Sequence, residues 1–579
     1  MTFRAPVRDL AFALKTVGHG ALVAEAFPDL DEDTINAVLE AAGAFVEEQL
    51  APLNRIGDQK GATYANGRVT AAPGFADAYR AFVAGGWNSL SSPVEYGGQG
   101  LTKAMELSVF EMIQAANMAF GLCPMLTQGA IEALHLHGTE RQKALILPKL
   151  VSGEWTGTMN LTEPQAGSDL AAITTRAEPD GQGGYLLTGQ KIFITWGDHD
   201  AADNICHLVL ARLPDAPPGV KGISLFLATK YLVDDQGNPG AQNALRPGSI
   251  EHKLGIHGSP TCVMLFEGAK AELVGSVNEG LAHMFVMMNA ARLHVGVQGV
   301  GIAERAYQQA LAFSQERRQG RAAWAADGAI WGHPDVRRML TLMKAKIDAA
   351  RAICLTTAVM ADLAHRAADA ESRAAAKARQ DLLTPIAKAW STDVGVEVAS
   401  MGVQIHGGMG FIEETGAAQH YRDARIAPIY EGTNGIQALD LIGRKLTLDG
   451  GGAMRALIAD IARTAAAAKA SPGLETVGAR LDAGAAALER ATAWLLDHKG
   501  VEAQAAATQY LKLAGDVIGG AALAEQGMAA TGDDAWSRSK AALARVFAGQ
   551  VLSQAPGLAD AIAEGAADLE ALTPEAIGS

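Results

Sequence analysis

Tyr185-Leu-Leu-Thr188, Lys191-Ile-Phe-Ile-Thr195, Cys206-His-Leu-Val-Leu210 and Gly222-Ile-Ser-Leu-Phe-Leu227 are short apolar runs separated by Gly, Asn, Asp and Pro. The pattern predicts strands joined by turns, a small β domain (sheet or barrel) between about Trp155 and Glu267. On either side the apolar period lengthens. Ile35, Val38, Leu39, Ala42, Phe45 and Val46 make one stripe of a helix. Pro52, Gly57, Gly61 and Gly67 then mark loops. Helical blocks follow at Lys103 to Gly121 and Met125 to His137, and Thr139 with Gln142 makes a capping box for another helix. Beyond Glu279, helices are predicted from about Met284 to Arg318, Met339 to Ala368 and Asp381 to Met401. Helices, then strands, then helices is α+β segregation rather than alternating βαβ units.

Gly450-Gly451-Gly452 reads as a flexible joint. The Ala-rich remainder, with Leu481, Ala485, Leu488, Ala491 and Leu495 in helical register, reads as a helical extension. The expected division is an N-terminal helical domain at 1–154, a β domain at 155–270, a helical bundle domain at 271–449 and the extension at 450–579.

Composition narrows the function. At roughly 150 residues per domain, the 579 residues make about three or four domains. The 48 Lys and Arg against 63 Asp and Glu leave a net charge of −15, which argues against a nucleic-acid partner. A hydrophobic share of 49% excludes wholesale disorder. Cys123, Cys206, Cys262 and Cys354 are far apart, with no C-x-x-C pair, so neither a zinc site nor a redox dithiol is expected. No leader and no run of ~18 apolar residues is seen, so the reading is a cytoplasmic protein without a membrane span. Gly299-Val-Gly301 lacks the third Gly of a dinucleotide fingerprint, and P-loop, H-E-x-x-H and G-x-S-x-G motifs do not occur.

Three polar loops are unusual. Met159-Asn-Leu-Thr162-Glu-Pro-Gln-Ala-Gly167-Ser168-Asp169 leaves a strand and gathers hydroxyls beside a Gly that permits close approach. Phe193 and Thr195 stand two apart on a strand, hence on one face. In Pro428-Ile-Tyr430-Glu431-Gly432-Thr433-Asn434-Gly435-Ile-Gln437, Asn434 can cap a helix whose buried face is Ile436, Leu439, Ile442 and Leu446. Glu431 lies just before that helix start, where an anionic group is favoured.

Taken together, Leu-Thr-Glu-Pro-x-Ala-Gly-Ser-Asp from Leu161, Gly-Gln-Lys-x-Phe-Ile-Thr from Gly189, Gln404-Ile-His-Gly407-Gly408 and Tyr-Glu-Gly-Thr from Tyr430 resemble the acyl-CoA dehydrogenases. Ala5-Pro-Val-Arg-Asp9, Gly153-Glu-Trp-Thr-Gly-Thr-Met-Asn160, Phe285-Val-Met-Met-Asn-Ala-Ala-Arg292 and His333-Pro-Asp-Val-Arg-Arg-Met339 are most similar to the branch acting on 3-(methylthio)propanoyl-CoA, which also carries a C-terminal helical extension. The resemblance implies an FAD enzyme that converts an acyl-CoA to a trans-2-enoyl-CoA. It also implies an electron-transfer flavoprotein as acceptor and, with the extension, a homodimer. Straight-chain medium- or long-chain fatty acyl-CoAs, an oxidase activity and a non-catalytic assembly relative are the alternatives.

By the same resemblance Glu431 is the base that removes the α-proton while the β-hydride passes to flavin N5. A carboxylate with a reference pKa near 4.3 is a weak base for that proton, and an upward shift of about two adds only about 2.7 kcal/mol. A preorganised oxyanion donor contributes roughly 2.7–4 kcal/mol, so polarising the thioester oxygen matters at least as much. The family's donors are the amide N–H of the base and a flavin ribityl hydroxyl. Some relatives carry the base beside the Arg on another helix. Here that neighbour of Arg292 is Ala291, which cannot serve.

For the cofactor, the resemblance assigns Met159, Leu161, Thr162, Gly167, Ser168, Phe193, Ile194 and Thr195, with Thr162 and Thr195 bonding the ring and Phe193 on its face. Relatives commonly have Trp where Phe193 stands and Gly where Gln165 stands. Gln404, Gly407, Gly408 and Arg317 reach FAD across a subunit interface, although Glu316-Arg317-Arg318-Gln319-Gly320 lacks the Thr and Phe usual in relatives. Thr433 and Asn434 contact the nucleotide part, with helix capping an equal explanation for Asn434. Ser168, Arg292 and Gly432 are assigned to the substrate, with a structural ion pair the alternative for Arg292. Met284, Met287 and Met288 line an acyl pocket or pack a helix core, the latter favoured.

Overall fold

The computed structural model describes residues 3–27 and 30–578, and the chain divides into two compact units. One holds residues 41–294 with residues 3–5, the other residues 6–40 and 295–578. The architecture is α+β, with helices preceding and following the β domain.

The unit built on residues 41–294 opens with helices Ala51–Lys60, Phe75–Ala84, Lys103–Ala116, Met118–His137 and Glu140–Ser152. Thr139 starts the last of these with the expected capping box, its hydroxyl accepting from Gln142 N (3.2 Å) and its N–H donating to Gln142 Oε1 (3.0 Å). The break expected after Gly121 falls instead at Asn117. Its backbone is extended and its side-chain oxygen accepts from Phe120 N, supplying a new helix cap. Pro52 and Gly57 lie inside a helix rather than in a loop. Pro52 occupies the first turn, where an N–H is not needed. Gly57 is there for closeness, since a Cβ would stand 2.8 Å from the Phe75 ring.

The strands close into a ring. Tyr185–Thr195 pairs with Thr261–Val274, which pairs with Ile223–Thr229, and that strand pairs with Asn204–Arg212. Arg176–Pro179 completes the circuit between Asn204–Arg212 and Tyr185–Thr195. Trp155–Asn160 adds a parallel strand beside Asn204–Arg212, and Leu245–Ile250 an antiparallel one beside Thr261–Val274. Leu187, Ile194, Val209, Phe226, Met264 and Phe266 fill the core. The first two predicted runs form one strand with a bulge. Ile194 faces Cys262 while Lys191 faces Met264, so the strand carries one residue more than its partner there.

The second unit is a helical bundle. It contains Gly280–Glu316 from Val295 onward, with Pro334–Arg366 and Ala370–His406. The last starts at Ala370 rather than near Asp381 because Asp369 accepts from Ser372 N (2.8 Å) and caps it. Gly450-Gly451-Gly452 is an ordered helix start and not a loose joint. Gly450 and Gly451 take left-handed φ (64° and 88°), and the Asp449 carboxylate accepts from Gly451 N (3.1 Å) and Ala453 N (2.6 Å). The extension is helical from Gly452 on, and Leu481, Ala485, Leu488, Ala491 and Leu495 are buried. It is seated by Trp390, whose Nε1 donates to Asp516 (2.9 Å) and whose ring covers Gly515. Asp9, Lys344, Asp348, Glu304, Arg351 and Lys540 join the first helix, the bundle and the extension in one buried, charge-balanced cluster.

Candidate active site

In the unit of residues 41–294, the loop after Trp155–Asn160 hangs on a buried ion pair. Lys191 Nζ donates to Glu163 Oε1 (2.8 Å) and to the Leu161 carbonyl (2.9 Å). Both side chains are shielded, at 0% and 2% exposure. The Glu163 carboxylate also accepts from Thr174 N (2.7 Å), Thr175 N (3.0 Å), both threonine hydroxyls and Gln165 Nε2 (2.7 Å). Burial raises the Glu163 carboxyl, but Lys191 and these donors outweigh it and hold it at about 2. Burial brings the Lys191 ammonium down to about 8 against the pull of Glu163. Ile192 N donates to the Thr162 carbonyl (2.9 Å), so Thr162 is fixed beside the bulge. Neither Glu163 nor Lys191 was assigned a role from sequence, although both lie inside the quoted motifs.

The bulge turns Phe193 to φ +61° and leaves the residue 59% exposed. Thr162 and Thr195 are half-buried, and Gly167 and Ser168 are exposed with open space where a Gly167 Cβ would stand. A flat apolar face beside two hydroxyls, all on a braced strand and loop, fits the face and polar edge of an isoalloxazine ring. Met159 is half-buried and Leu161 almost covered. The bulge sends residue 193 outward and residue 194 inward, so the Ile194 side chain packs in the barrel core and a cofactor contact at this position falls to its main chain. Arg292 is 4% exposed and donates to Asn289 Oδ1 (3.2 Å). Met284 and Met287 are fully buried, Met287 packing over Gly129, while Met288 is half-buried.

The second unit presents Glu431 on a tight, strained turn. Glu431 is half-buried with φ +56°, and Gly432 follows at φ +81°. Two successive left-handed residues, one not Gly, cost on the order of 1–3 kcal/mol, so the surroundings must impose them. Gln437 Nε2 donates to both the Glu431 and the Gly432 carbonyls (3.2 Å each). Lys388 Nζ donates to the Gly432 carbonyl (2.9 Å) and to Asn434 Oδ1 (2.8 Å). Asn434 Nδ2 donates to Ala389 O (3.1 Å), Thr392 Oγ1 (3.0 Å) and Asp393 Oδ1 (2.8 Å). Next door, the Tyr430 hydroxyl donates to Gln298 Oε1, and burial with the Glu431 charge pushes the Tyr430 phenol well above its ordinary value.

Two expectations change here. Thr433, not Asn434, caps the short helix Asn434–Asp440, accepting from Ile436 N (3.2 Å), while Asn434 is spent on bonds to Ala370–His406. Of the expected face, Ile442 and Leu446 are buried and Ile436 is half-buried, but Leu439 is 39% exposed, and Gln437, Ala438 and Leu441 join the inward face because Gln437 must face inward to hold the Glu431 turn.

Arg317, Gln404, Gly407 and Gly408 are all exposed, near the ends of the helices that carry them. Stacking of Phe313 on His406 (centroids 4.4 Å apart) brings the ends of Gly280–Glu316 and Ala370–His406 side by side. Among the described residues, no helix is long and apolar enough to cross a membrane, and no group of three His, Cys, Asp or Glu is placed to hold a metal ion.

Family profiles match along the chain: acyl-CoA dehydrogenase N-terminal domain at 32–154, middle domain at 158–269 and C-terminal domain at 278–447. An acetyl-CoA dehydrogenase C-terminal-like profile matches 457–573. The chain is 47% identical over 570 residues to the 3-methylmercaptopropionyl-CoA dehydrogenase of Ruegeria pomeroyi, covering 95% of this chain and 96% of that one. It is 34% identical to a butyryl-CoA dehydrogenase of Syntrophomonas wolfei, covering 86% and 85%. In fold it is similar to an acyl-CoA dehydrogenase from Bacillus anthracis complexed with FAD, with a TM-score of 0.76 at 22% identity, covering 93% of this chain and 90% of that one. The three consecutive profile matches and the near full-length relatives place this chain in the acyl-CoA dehydrogenase family, whose members are FAD-dependent oxidoreductases.

Proposed function

We propose that Glu431 is the base that removes the α-proton of an acyl-CoA thioester, and that its own amide N–H polarises the thioester oxygen. The reading rests on one observation: Glu431 is held in a left-handed turn, with Gln437 fixing its carbonyl and Lys388 fixing the next. Fixing the Glu431 backbone fixes its amide N–H and the root of its side chain together, so one residue supplies both the base and the oxyanion donor for adjacent atoms of one substrate. The amide keeps its dipole in place before the proton moves, and no reorganisation is needed as charge builds on the oxygen. Bound FAD supplies the acceptor for the β-hydride. Thr162, Thr195 and Phe193 hold and orient its ring, and Lys191 with Glu163 keep the Thr162 loop in place.

The proposed substrate is 3-(methylthio)propanoyl-CoA, supported by the 47% identity with the Ruegeria pomeroyi enzyme over nearly the whole of both chains. Ser168, Arg292 and Gly432 are the residues proposed to meet it. An electron-transfer flavoprotein is the proposed acceptor, and the cytoplasm the proposed compartment. We further propose four domains, at 1–154, 155–270, 271–449 and 450–579, and a homodimer in which Arg317, Gln404, Gly407 and Gly408 reach the FAD of the other subunit. Light scattering that gives a tetramer refutes the dimer. An acyl-CoA panel with an artificial electron acceptor ranks substrates, and aerobic against anaerobic reoxidation separates dehydrogenase from oxidase. Glu431→Gln tests the base: the purified variant binds FAD, and acyl-CoA no longer bleaches the flavin. Turnover retained in that variant refutes the assignment.

A further inference from the structure

Lys388 is a buried cation in the middle of Ala370–His406, at 0% exposure, and the reaction proposed above does not use it. A buried ammonium is costly unless its donors are well placed. Two of them go to the turn that carries the base: the Gly432 carbonyl at 2.9 Å and Asn434 Oδ1 at 2.8 Å. Asn434 in turn is bonded to Ala389 O, Thr392 Oγ1 and Asp393 Oδ1, one helical turn along the same face as Lys388. The arrangement is more than a helix cap, because Thr433 already caps Asn434–Asp440. What Lys388 grips is the peptide after Gly432, the second of the two left-handed residues. Gln437 Nε2 shares the Gly432 carbonyl at 3.2 Å and Lys388 supplies the shorter, charged bond, so losing Lys388 loosens Gly432 at φ +81° and lets Glu431 at φ +56° relax toward an unstrained conformation while Gln437 still bonds both carbonyls.

We propose that Lys388 is a positioning residue for the reaction: its ammonium holds the Glu431-Gly432 turn so that the Glu431 amide and carboxylate present themselves to the thioester together. The inference rests on Glu431 being the base. A charge-assisted bond is stronger than a neutral one and directional at the carbonyl, which suits a turn held against its own strain. Because the amide bonds the thioester oxygen more strongly as charge develops on it, loosening it weakens the transition state more than substrate binding.

The test compares Lys388→Met with wild type as FAD-loaded holoenzymes. The expected result is kcat lower by about 10- to 100-fold with KM changed by less than about threefold. A second readout is the absorption maximum of bound cinnamoyl-CoA, which moves to longer wavelength as its thioester oxygen is polarised. That shift should shrink in Lys388→Met and persist in Glu431→Gln, which keeps the amide. Wild-type kcat and an undiminished shift in folded, flavin-loaded Lys388→Met overturn the proposal. So does a variant that loses only thermal stability or FAD content. If Lys388→Met yields no holoenzyme, Lys388→Gln, which keeps a donor without the charge, carries the same readouts. Turnover in Glu431→Gln would instead overturn the base assignment, whatever Lys388→Met does.

Discussion

Replacing Lys191 by methionine keeps the length of the side chain and removes one charge. In the native fold that charge faces Glu163, and neither group reaches water. The Glu163 carboxyl is held from its ordinary 4.5 down to about 2 by Lys191 and the amide and hydroxyl donors, while burial brings the Lys191 ammonium down to about 8, so at neutral pH the two shifts oppose one another and the intact pair adds little net stability. Removing one partner is more costly, roughly 3–5 kcal/mol, because the other charge is left buried and uncompensated. Because the folded Glu163 value is depressed, its contribution is complete above the unfolded value and fades as pH falls from 4.5 toward 2. Without Lys191, burial acts on Glu163 with only the hydroxyl and amide donors to oppose it, so the loss is greatest near pH 7 and narrows as pH falls below 4.5 toward 2. A double-mutant cycle isolates the pair: Lys191→Met, Glu163→Gln and both together, followed by urea unfolding and by release of flavin fluorescence. The expected coupling is about 3 kcal/mol, with the double variant more stable than the two single losses combined imply. The single Lys191→Met variant should also release FAD more readily, since Leu161 O loses its donor beside Thr162. Additive losses, or a gap between wild type and Lys191→Met that does not narrow on acidification, refute the reasoning.

Phe193→Ala removes the ring of a residue that is 59% exposed in the protein alone, so apoprotein stability should change by less than about 0.5 kcal/mol, while FAD affinity, read by fluorescence quenching, falls about 2- to 10-fold. Unchanged affinity removes Phe193 from the flavin face. Gly515→Ala places a Cβ 2.3 Å from the Trp390 ring. It should cost about 1–3 kcal/mol, read as a lower unfolding midpoint of the C-terminal extension by near-UV circular dichroism, and an unshifted midpoint contradicts the packing described.

Much of this protein is legible from neighbours in sequence. The Thr139–Gln142 capping box, the register of Leu481 to Leu495 and the strand runs around Cys206 are local patterns, and local patterns survive folding unchanged. The loops that carry Glu431, Thr162 and Phe193 are also legible, through motifs whose residues are consecutive. The errors share one cause. Asn117 ends a helix that its apolar period would continue, because its side chain supplies a better cap. Gly450 to Gly452 look loose until the Asp449 carboxylate is seen to accept from the amides of Gly451 and Ala453.

What hydropathy and spacing determined is the order of helix and strand, the helical extension and the short list of polar loops, since each depends on residues within one or two turns of each other. Tertiary structure alone decided which groups hold those loops: Lys191 grips Glu163, Lys388 grips Gly432, and a bulge opposite Cys262 sends Phe193 outward and Ile194 inward. Those partners lie on separate elements, and a buried charge finds its counter-charge only when the elements pack and water is excluded, a condition no linear period encodes.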